Sequence, residues 1–173
     1  MTAYRMPAEQ AVRLLDALEA GGAGVVVGGG WAVDALLGRQ TREHADLDLW
    51  VPALRFDRLV NALVPLGIDR VQYWGDNRPW NFPLHDGAGT RVDLHLFEER
   101  IDGSLHYGGV DTGIALPAGA LDGAGSIGGR AVRCDSPDWA LRCRTGYAPR
   151  EVDRHDVAVL SAHLGVRAPD LGR

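Results

Sequence analysis

The sequence predicts an α+β fold, a mixed sheet flanked by helices with a small C-terminal helical lobe. Three observations lead there. The first fifty residues run helix, short apolar strand, glycine turn, helix, strand. Two segments, Ala45–Val51 and Arg91–Phe97, alternate apolar and polar residues, the period of strands with one buried face. From about Asp102 the texture changes: glycines cluster, strands shorten, and two helical stretches close the chain. The division expected is a core over 1–101 and a hairpin-and-helix lobe over 102–173, packed together as one compact unit.

Taken in order, Pro7 to Ala20 reads as an amphipathic helix, with Ala11, Leu14, Leu15 and Leu18 at helical spacing and Gly21-Gly22 ending it. Gly24 to Val27 is a short buried strand, Gly28 to Gly30 a turn, and Trp31 to Leu37 a short helix stopped by Gly38. Ala45 to Val51 sets Leu47, Leu49 and Val51 against Asp46, Asp48 and Trp50. A helix is expected from Pro52 to about Leu66, with Phe56, Leu59, Val60 and Leu63 on one side. Ile68–Trp74 and Trp80–Leu84 read as strands, and the turn Asp86–Gly89 leads into the strand at Arg91. Gly128-Gly129 marks a hairpin within Ser126–Arg133. Ser136-Pro137 offers an N-cap with proline at the first helical position, opening a helix to about Arg144. A last helix follows from Arg150 to His163.

Composition narrows the class. At 173 residues, 46% apolar and 24% charged, the chain has the profile of an ordinary globular protein. A net charge of −5 argues against a nucleic-acid partner, which demands a basic face. Cys134 and Cys143 have no metal-ligand spacing and build no disulfide framework. No apolar run approaches the roughly 20 residues of a membrane span. Met1 to Gln10 is polar and mixed, unlike a signal peptide, so a reducing cytoplasm is the expected setting.

The chemistry concentrates in two places. A glycine turn that opens a helix can hold phosphate oxygens on backbone N–H groups, and Gly28-Gly29-Gly30 is placed to do so. Asp46 and Asp48, at i and i+2 on a strand, point to one face. Asp93 shares a strand face with Arg91 and His95. If the two strands are neighbours, three carboxylates converge. Such a cluster repels itself without a cation, and oxygen-only ligands favour Mg²⁺ over zinc. Two Mg²⁺ roughly 3.5–4 Å apart would stabilise the attacking and leaving oxygens of an in-line phosphoryl displacement. Arg39 and Arg42 lie between turn and carboxylates and could meet phosphate. His95 would border the site. His44 could orient the acidic pair or serve as a local cap. Trp31 reads as packing; Tyr73, Trp74 and Trp80 read as core or cleft wall. His85 and His106 have no local ligand partner.

The stretch Val27–Leu49, including Gly28-Gly29-Gly30-Trp31 and Asp46-Leu47-Asp48, resembles the signature of small nucleotidyltransferases of the polymerase-β-like superfamily. Within it, the chain is most similar to the aminoglycoside-2''-adenylyltransferase and lincosamide nucleotidyltransferase group. The resemblance continues at Arg91–His95, at Gly128–Cys134 and from Gly146-Tyr147 to Asp153–Asp156, so it covers most of the chain. It implies that Asp46 and Asp48 are the paired metal-binding aspartates. Asp93 then matches the third acid, binding the catalytic metal and able to accept the proton of the acceptor hydroxyl. Gly29 and Gly30 match the turn that receives the triphosphate. The wider superfamily often has Gly-Ser there, a hydroxyl this chain lacks.

The implied reaction moves a nucleoside monophosphate, AMP from MgATP or another NTP, onto a hydroxyl of a small molecule such as a lincosamide or aminoglycoside. Arg154 is a further candidate for contact with nucleotide or substrate. Tyr147, Asp153, Arg154 and Asp156 are expected to join the tail helices to the core. A homodimer whose sites are completed by the neighbour is also compatible with the resemblance. Two other readings remain: transfer to a natural-product intermediate or a protein, and a non-catalytic nucleotide- or ligand-binding module. Three clustered acids speak against the module.

Overall fold

The computed structural model describes residues 4–72, 78–111 and 113–172. Among them the elements are α1 (Ala8–Ala20), β1 (Val26–Val27), α2 (Gly29–Leu37), β2 (Leu47–Pro52), α3 (Phe56–Leu63), β3 (Arg70–Val71), β4 (Asn81–His85), β5 (Arg91–Glu99), β6 (Leu105–Tyr107), β7 (Ile114–Ala115), β8 (Gly123–Ile127), β9 (Arg130–Cys134), α4 (Pro137–Arg142) and α5 (Glu151–Leu164). The strands form one mixed sheet in the order β3-β4-β5-β2-β1-β9-β8, and β6 and β7 extend from β5 off that path. The α+β architecture expected from the sequence is the one observed.

The centre of the sheet is the parallel pair β2 and β5, in register from Leu47 opposite Val92 to Pro52 opposite Phe97. Alternation decides what each face carries. Leu47, Leu49, Val51, Val92 and Leu94 are fully buried, in one core with Leu14 and Leu18 of α1 and Leu59 and Leu63 of α3. Each such leucine contributes about 1.5–3 kcal/mol by leaving water. The intervening residues Asp48, Trp50, Asp93 and His95 are thereby turned to the opposite face, toward a cleft.

That face is only partly covered. Val26, Trp50, Phe97, Leu116 and Leu121 form a second apolar cluster there. A third joins α2 to the C-terminal helices through Val33, Ala140, Leu141, Val157 and Leu160. Helix α2 is buried from Trp31 through Ala35, consistent with a mostly apolar composition in which the one charged residue, Asp34, is hydrogen-bonded to His44. The C-terminal half also returns to the sheet. Cys134 of β9 lies parallel to and opposite Val27 of β1, and the β8–β9 hairpin turns at Gly128 and Gly129 with φ of 56° and 83°, the positive values its two-residue turn requires. This return delivers Asp135 to the sheet end beside the glycine turn, where its N–H bonds the Val27 carbonyl at 2.9 Å.

Several elements differ in extent from expectation. The strand expected over Gly24–Val27 forms only at Val26–Val27. The helix expected from Pro52 to Leu66 is α3 flanked by 3-10 turns at Ala53–Arg55 and Val64–Leu66, the second containing Pro65, which has no N–H to continue the ladder. The strand expected over Ile68–Trp74 is formed at Arg70–Val71, and Tyr73 and Trp74 lie outside the described residues. Helix α4 ends at Arg142 rather than Arg144, and Ser136 caps it, its hydroxyl accepting from Trp139 N at 3.3 Å. Strands β6 and β7, three and two residues long, are too short to register as a periodic pattern.

Candidate active site

The three aspartates line one cleft of about 950 Å³. Asp48 stands opposite Asp93 across the β2–β5 pair, and Asp46 precedes β2. Their charges act on one another. Burial, then the charges of Asp48 and Asp46, push the Asp93 carboxyl up to about 7. Burial and the Asp48 charge also raise Asp46. For Asp48 the burial penalty is outweighed by the His95 hydrogen bond and by the charges of His95, Arg144 and Arg91, so it lies below the usual carboxylate range.

Two cations hold the acids as they stand. Arg91 hydrogen-bonds Asp46 through Nη2, and its Nε lies 3.4 Å from Asp93 Oδ1. His95 Nε2 lies 3.3 Å from Asp48 Oδ1, while its Nδ1 meets Tyr107 Oη and Asn81 Nδ2 at 3.3 and 3.2 Å. Among the described residues, therefore, no three acidic, histidine or cysteine side chains stand grouped as a ready metal shell. The expected convergence holds at the level of one cleft and mutual charge; the arrangement of ligands does not. The donor set still fits a divalent cation. All three acids offer oxygen, and among the described residues Asp93 Oδ1 is buried without a hydrogen bond, the orphan a hard cation satisfies.

The glycine turn closes on these acids. Gly28 N donates to Asp48 O at 2.9 Å, fixing the turn to β2. Gly29 takes φ +58°, and a Cβ there would overlap the Asp48 carboxylate. Only glycine serves at a position that is both left-handed and this close to an acid. Gly29 and Gly30 are the first residues of α2, so their N–H groups are among those without a helical carbonyl.

Behind the turn lies a three-residue ion bridge. Arg42 grips Asp156 of α5 through Nε at 2.7 Å and Nη2 at 2.9 Å. Arg144, just past α4, reaches the same carboxylate at 3.0 Å and the Gly29 carbonyl at 2.9 Å. The tail helices are thus tied to the turn by charge as well as by apolar packing. His44 is buried, bonded to Asp34 at 2.6 Å and stacked on Trp31 with ring centroids 4.2 Å apart, which makes it a packing group behind the turn. Asp34 also accepts from Thr41 N and Oγ1.

One wall of the cleft is aromatic. The Trp50 ring centroid lies 5.1 Å from that of His95, 5.2 Å from Tyr107 and 6.4 Å from Trp139. Trp50 Nε1 donates to Asp135 Oδ1 at 2.8 Å. Asp135 is 1% exposed, and burial pushes its carboxyl up to about 7 against the opposing influence of Arg144 and the Trp50 hydrogen bond.

The structure thus brings Asp46, Asp48, Asp93, Gly29, Gly30, Arg42 and His95 to one cleft. Arg154 is not brought there; it is exposed on α5 and lines a separate small hollow with Pro169 and Leu171. Arg39 is exposed and does not line the cleft either. Reasoning from pattern missed Arg144, Asp135, Trp50 and Trp139 as cleft residues. For Trp50 a signal existed, since it alternates in phase with Asp48. For Arg144 and Asp135 none did, because their approach depends on how β9 and α4 return to the sheet.

A glycine turn facing acids on two adjacent strands, on a mixed sheet backed by helices, defines a nucleotidyltransferase. Comparison with known proteins agrees: residues 10–160 match the family described as aminoglycoside-2''-adenylyltransferase, and the chain belongs to that family. A lincosamide resistance protein of Staphylococcus haemolyticus is 26% identical over 134 residues, covering 78% of this chain and 81% of the relative. A 2''-aminoglycoside nucleotidyltransferase of Escherichia coli is 51% identical over 41 residues, 24% of this chain and 23% of its own. Among solved structures, ANT(2")-Ia in complex with adenylyl-2"-tobramycin aligns with a TM-score of 0.73 at 26% identity, covering 91% of this chain and 89% of that one. The lincomycin-bound lincosamide antibiotic adenylyltransferase LnuA aligns with a TM-score of 0.78 at 23% identity over 91% of this chain and 98% of its own, a likeness of fold.

Proposed function

We propose that this protein transfers AMP from MgATP to a hydroxyl of a small-molecule antibiotic of the lincosamide or aminoglycoside kind, and so inactivates it. The observation that carries the reading is that Asp46, Asp48 and Asp93 line one cleft with the Gly29–Gly30 turn, which lies against Asp48. The names of the relatives supply the acceptor class.

In this reading the N–H groups of Gly29 and Gly30 receive triphosphate oxygens, with Arg42 adding positive charge at the same end. Asp46, Asp48 and Asp93 would hold two Mg²⁺, Arg91 yielding its contacts with Asp46 and Asp93. When bound, the metal supplies Lewis-acid stabilisation of charge on the attacking and leaving oxygens. Asp93 accepts the proton of the acceptor hydroxyl as that oxygen attacks the α-phosphorus. A new P–O bond forms, the bond to the bridging oxygen of the β-phosphate breaks, and pyrophosphate leaves toward the turn. His95, fixed by Asp48, Tyr107 and Asn81, borders the acceptor. Position and electrostatics account for the rate, with no covalent enzyme intermediate.

The test is pyrophosphate release from MgATP across a panel of lincosamides and aminoglycosides, with mass spectrometry of the product. The expected result is one AMP added to the drug, lost on chelation of Mg²⁺. AMP found on a protein or on a compound outside both drug classes would redirect the acceptor assignment. Nucleotide binding with no turnover on any acceptor would overturn the reaction.

A further inference from the structure

Asp135 is a buried acid without a structural counter-charge. Among the described residues its carboxylate receives one side-chain hydrogen bond, from the neutral Trp50 indole, and takes part in no ion pair. The nearby guanidinium of Arg144 is engaged elsewhere, with Asp156, the Gly29 carbonyl and the Ala140 carbonyl. A carboxylate left this way is costly to a fold unless a ligand completes it. Asp135 nevertheless lines the cleft, close enough to Asp48 and His95 for their charges to act on it.

Its surroundings specify the ligand. Trp50, Tyr107 and Trp139 also line the cleft; Trp50 holds the carboxylate through its indole N–H, and its ring lies 5.2 Å from Tyr107 and 6.4 Å from Trp139. A carboxylate flanked by aromatic rings suits an alkylammonium group, which gains charge pairing from the acid and cation–π attraction from the rings. Trp139, which lines the same cleft, adds a buried Nε1 donor with no hydrogen-bond partner among the described residues. Asp135 lies next to the glycine turn, with its N–H on the Val27 carbonyl and its partner Trp50 Nε1 close against Gly28, and its negative charge suits a cationic acceptor beside the triphosphate rather than the triphosphate itself.

We propose that Asp135, walled by Trp50, Tyr107 and Trp139, is the anchor for a protonated amine of the acceptor and so selects amine-bearing hydroxyl compounds. The proposal rests on the reading that this cleft takes a small-molecule acceptor, and it names the group by which that acceptor is held.

The test measures equilibrium binding by calorimetry, without nucleotide, of tobramycin, per-N-acetyl tobramycin and lincomycin to the wild-type protein and to Asp135→Asn. Asparagine preserves the shape and can still accept from Trp50, and MgATP affinity of the variant checks that the glycine turn is intact. The expected result is that wild type binds tobramycin or lincomycin, and that N-acetylation weakens tobramycin binding at least tenfold if tobramycin is bound. Asp135→Asn should weaken binding of the amine probe at least tenfold, with MgATP affinity changed less than twofold. Wild type binding neither amine probe, equal binding by variant and wild type, or a loss confined to MgATP would each overturn the proposal, the last assigning Asp135 to the nucleotide. Turnover is read separately: amine binding that depends on Asp135 without pyrophosphate release would sink the proposed reaction while supporting the anchor.

Discussion

Two buried acids that line one cleft carry their charge in opposite ways. Behind the glycine turn, Asp156 is held by two guanidinium groups, those of Arg42 and Arg144, and the bridge ties α5 to the turn. Against the aromatic wall, Asp135 is just as buried, but among the described residues its carboxylate receives a single side-chain hydrogen bond, from an indole N–H. The difference teaches how to read a buried acid. One that is fully paired is a tie between elements, and its removal strands its partners. One left without a counter-charge is available to something that arrives. The Asp46–Asp48–Asp93 cluster of the same cleft is intermediate in its pairing: Arg91 and His95 supply part of it, and Asp93 Oδ1, without a hydrogen bond among the described residues, leaves room for more.

The largest expected effect falls on the cluster. Asp93→Asn removes the proton acceptor and one ligand of the proposed metal site, and turnover should fall by about 10²–10⁴, the range of a positioned general base, or further. The fold should survive, because the substitution also relieves repulsion from Asp48 and Asp46. Steady-state pyrophosphate release and a thermal melt measure the two together. A variant that keeps its turnover would remove Asp93 from the chemistry.

Next comes the paired acid. Asp156→Ala leaves Arg42 and Arg144 without their shared counter-charge, and the penalty for stranding a buried charge is about 3–5 kcal/mol. For a chain of this size that lowers Tm by roughly 10 °C. The Gly29 carbonyl then loses an arginine that is no longer held in place, so MgATP affinity should fall as well. A melt within 1–2 °C of wild type, roughly the shift expected of an ordinary surface change, would mean that the bridge is not a structural tie.

Gly29→Ala tests the turn alone. A non-glycine residue in the left-handed region costs about 1–3 kcal/mol, before the overlap with the Asp48 carboxylate is counted. Loss of turnover should exceed loss of stability, because Asp48 must move to make room. Equal losses would make the turn a folding element only.

Asp135→Asn tests the unpaired acid without any ligand. Burial, offset in part by Arg144 and Trp50, sets its folded-state pKa at about 7, above the ordinary value of 3.8. The folded protein therefore binds more protons than the unfolded chain between these values. The contribution of Asp135 to stability is fully present below about pH 4 and is lost as pH rises through about 7. Asp93 gives a slope of the same sign, so the substitution should flatten the fall in Tm over this window without abolishing it. An unchanged slope would mean that Asp135 is satisfied by something other than Trp50.

Much of this site was legible in the sequence because it lies on alternating strands. Once Leu47, Leu49, Val92 and Leu94 are assigned to the core, Asp48, Asp93 and His95 can only face the other way. The glycine turn was legible for a similar reason, since short apolar segments flank it on both sides. Arg144 and Asp135 were not. Their positions follow from β9 pairing in parallel with β1 across more than a hundred residues of chain, and from α4 packing on α2. No local period encodes such contacts. Strands β6 and β7, which carry Tyr107 and one wall of the cleft, are shorter than a recognisable pattern.

The smallest expected effect separates position in sequence from position in space. Arg154 lies two residues before Asp156, in a segment that resembles the family, and charge alone would make it a fair partner for phosphate. Helical geometry argues otherwise. Residues two apart on a helix project about 200° from each other, so while Asp156 faces the turn, Arg154 faces outward, beside Pro169 and Leu171. Arg154→Ala should change turnover and MgATP affinity less than twofold. Arg42→Ala, whose side chain lines the cleft beside Gly30, should weaken MgATP tenfold or more. If the two variants behave alike, arginine charge acts at long range over this face, and the ion bridge at the turn end is less specific than its geometry implies. If only Arg42→Ala is impaired, the orientation of α5 decides which of its charges the nucleotide meets.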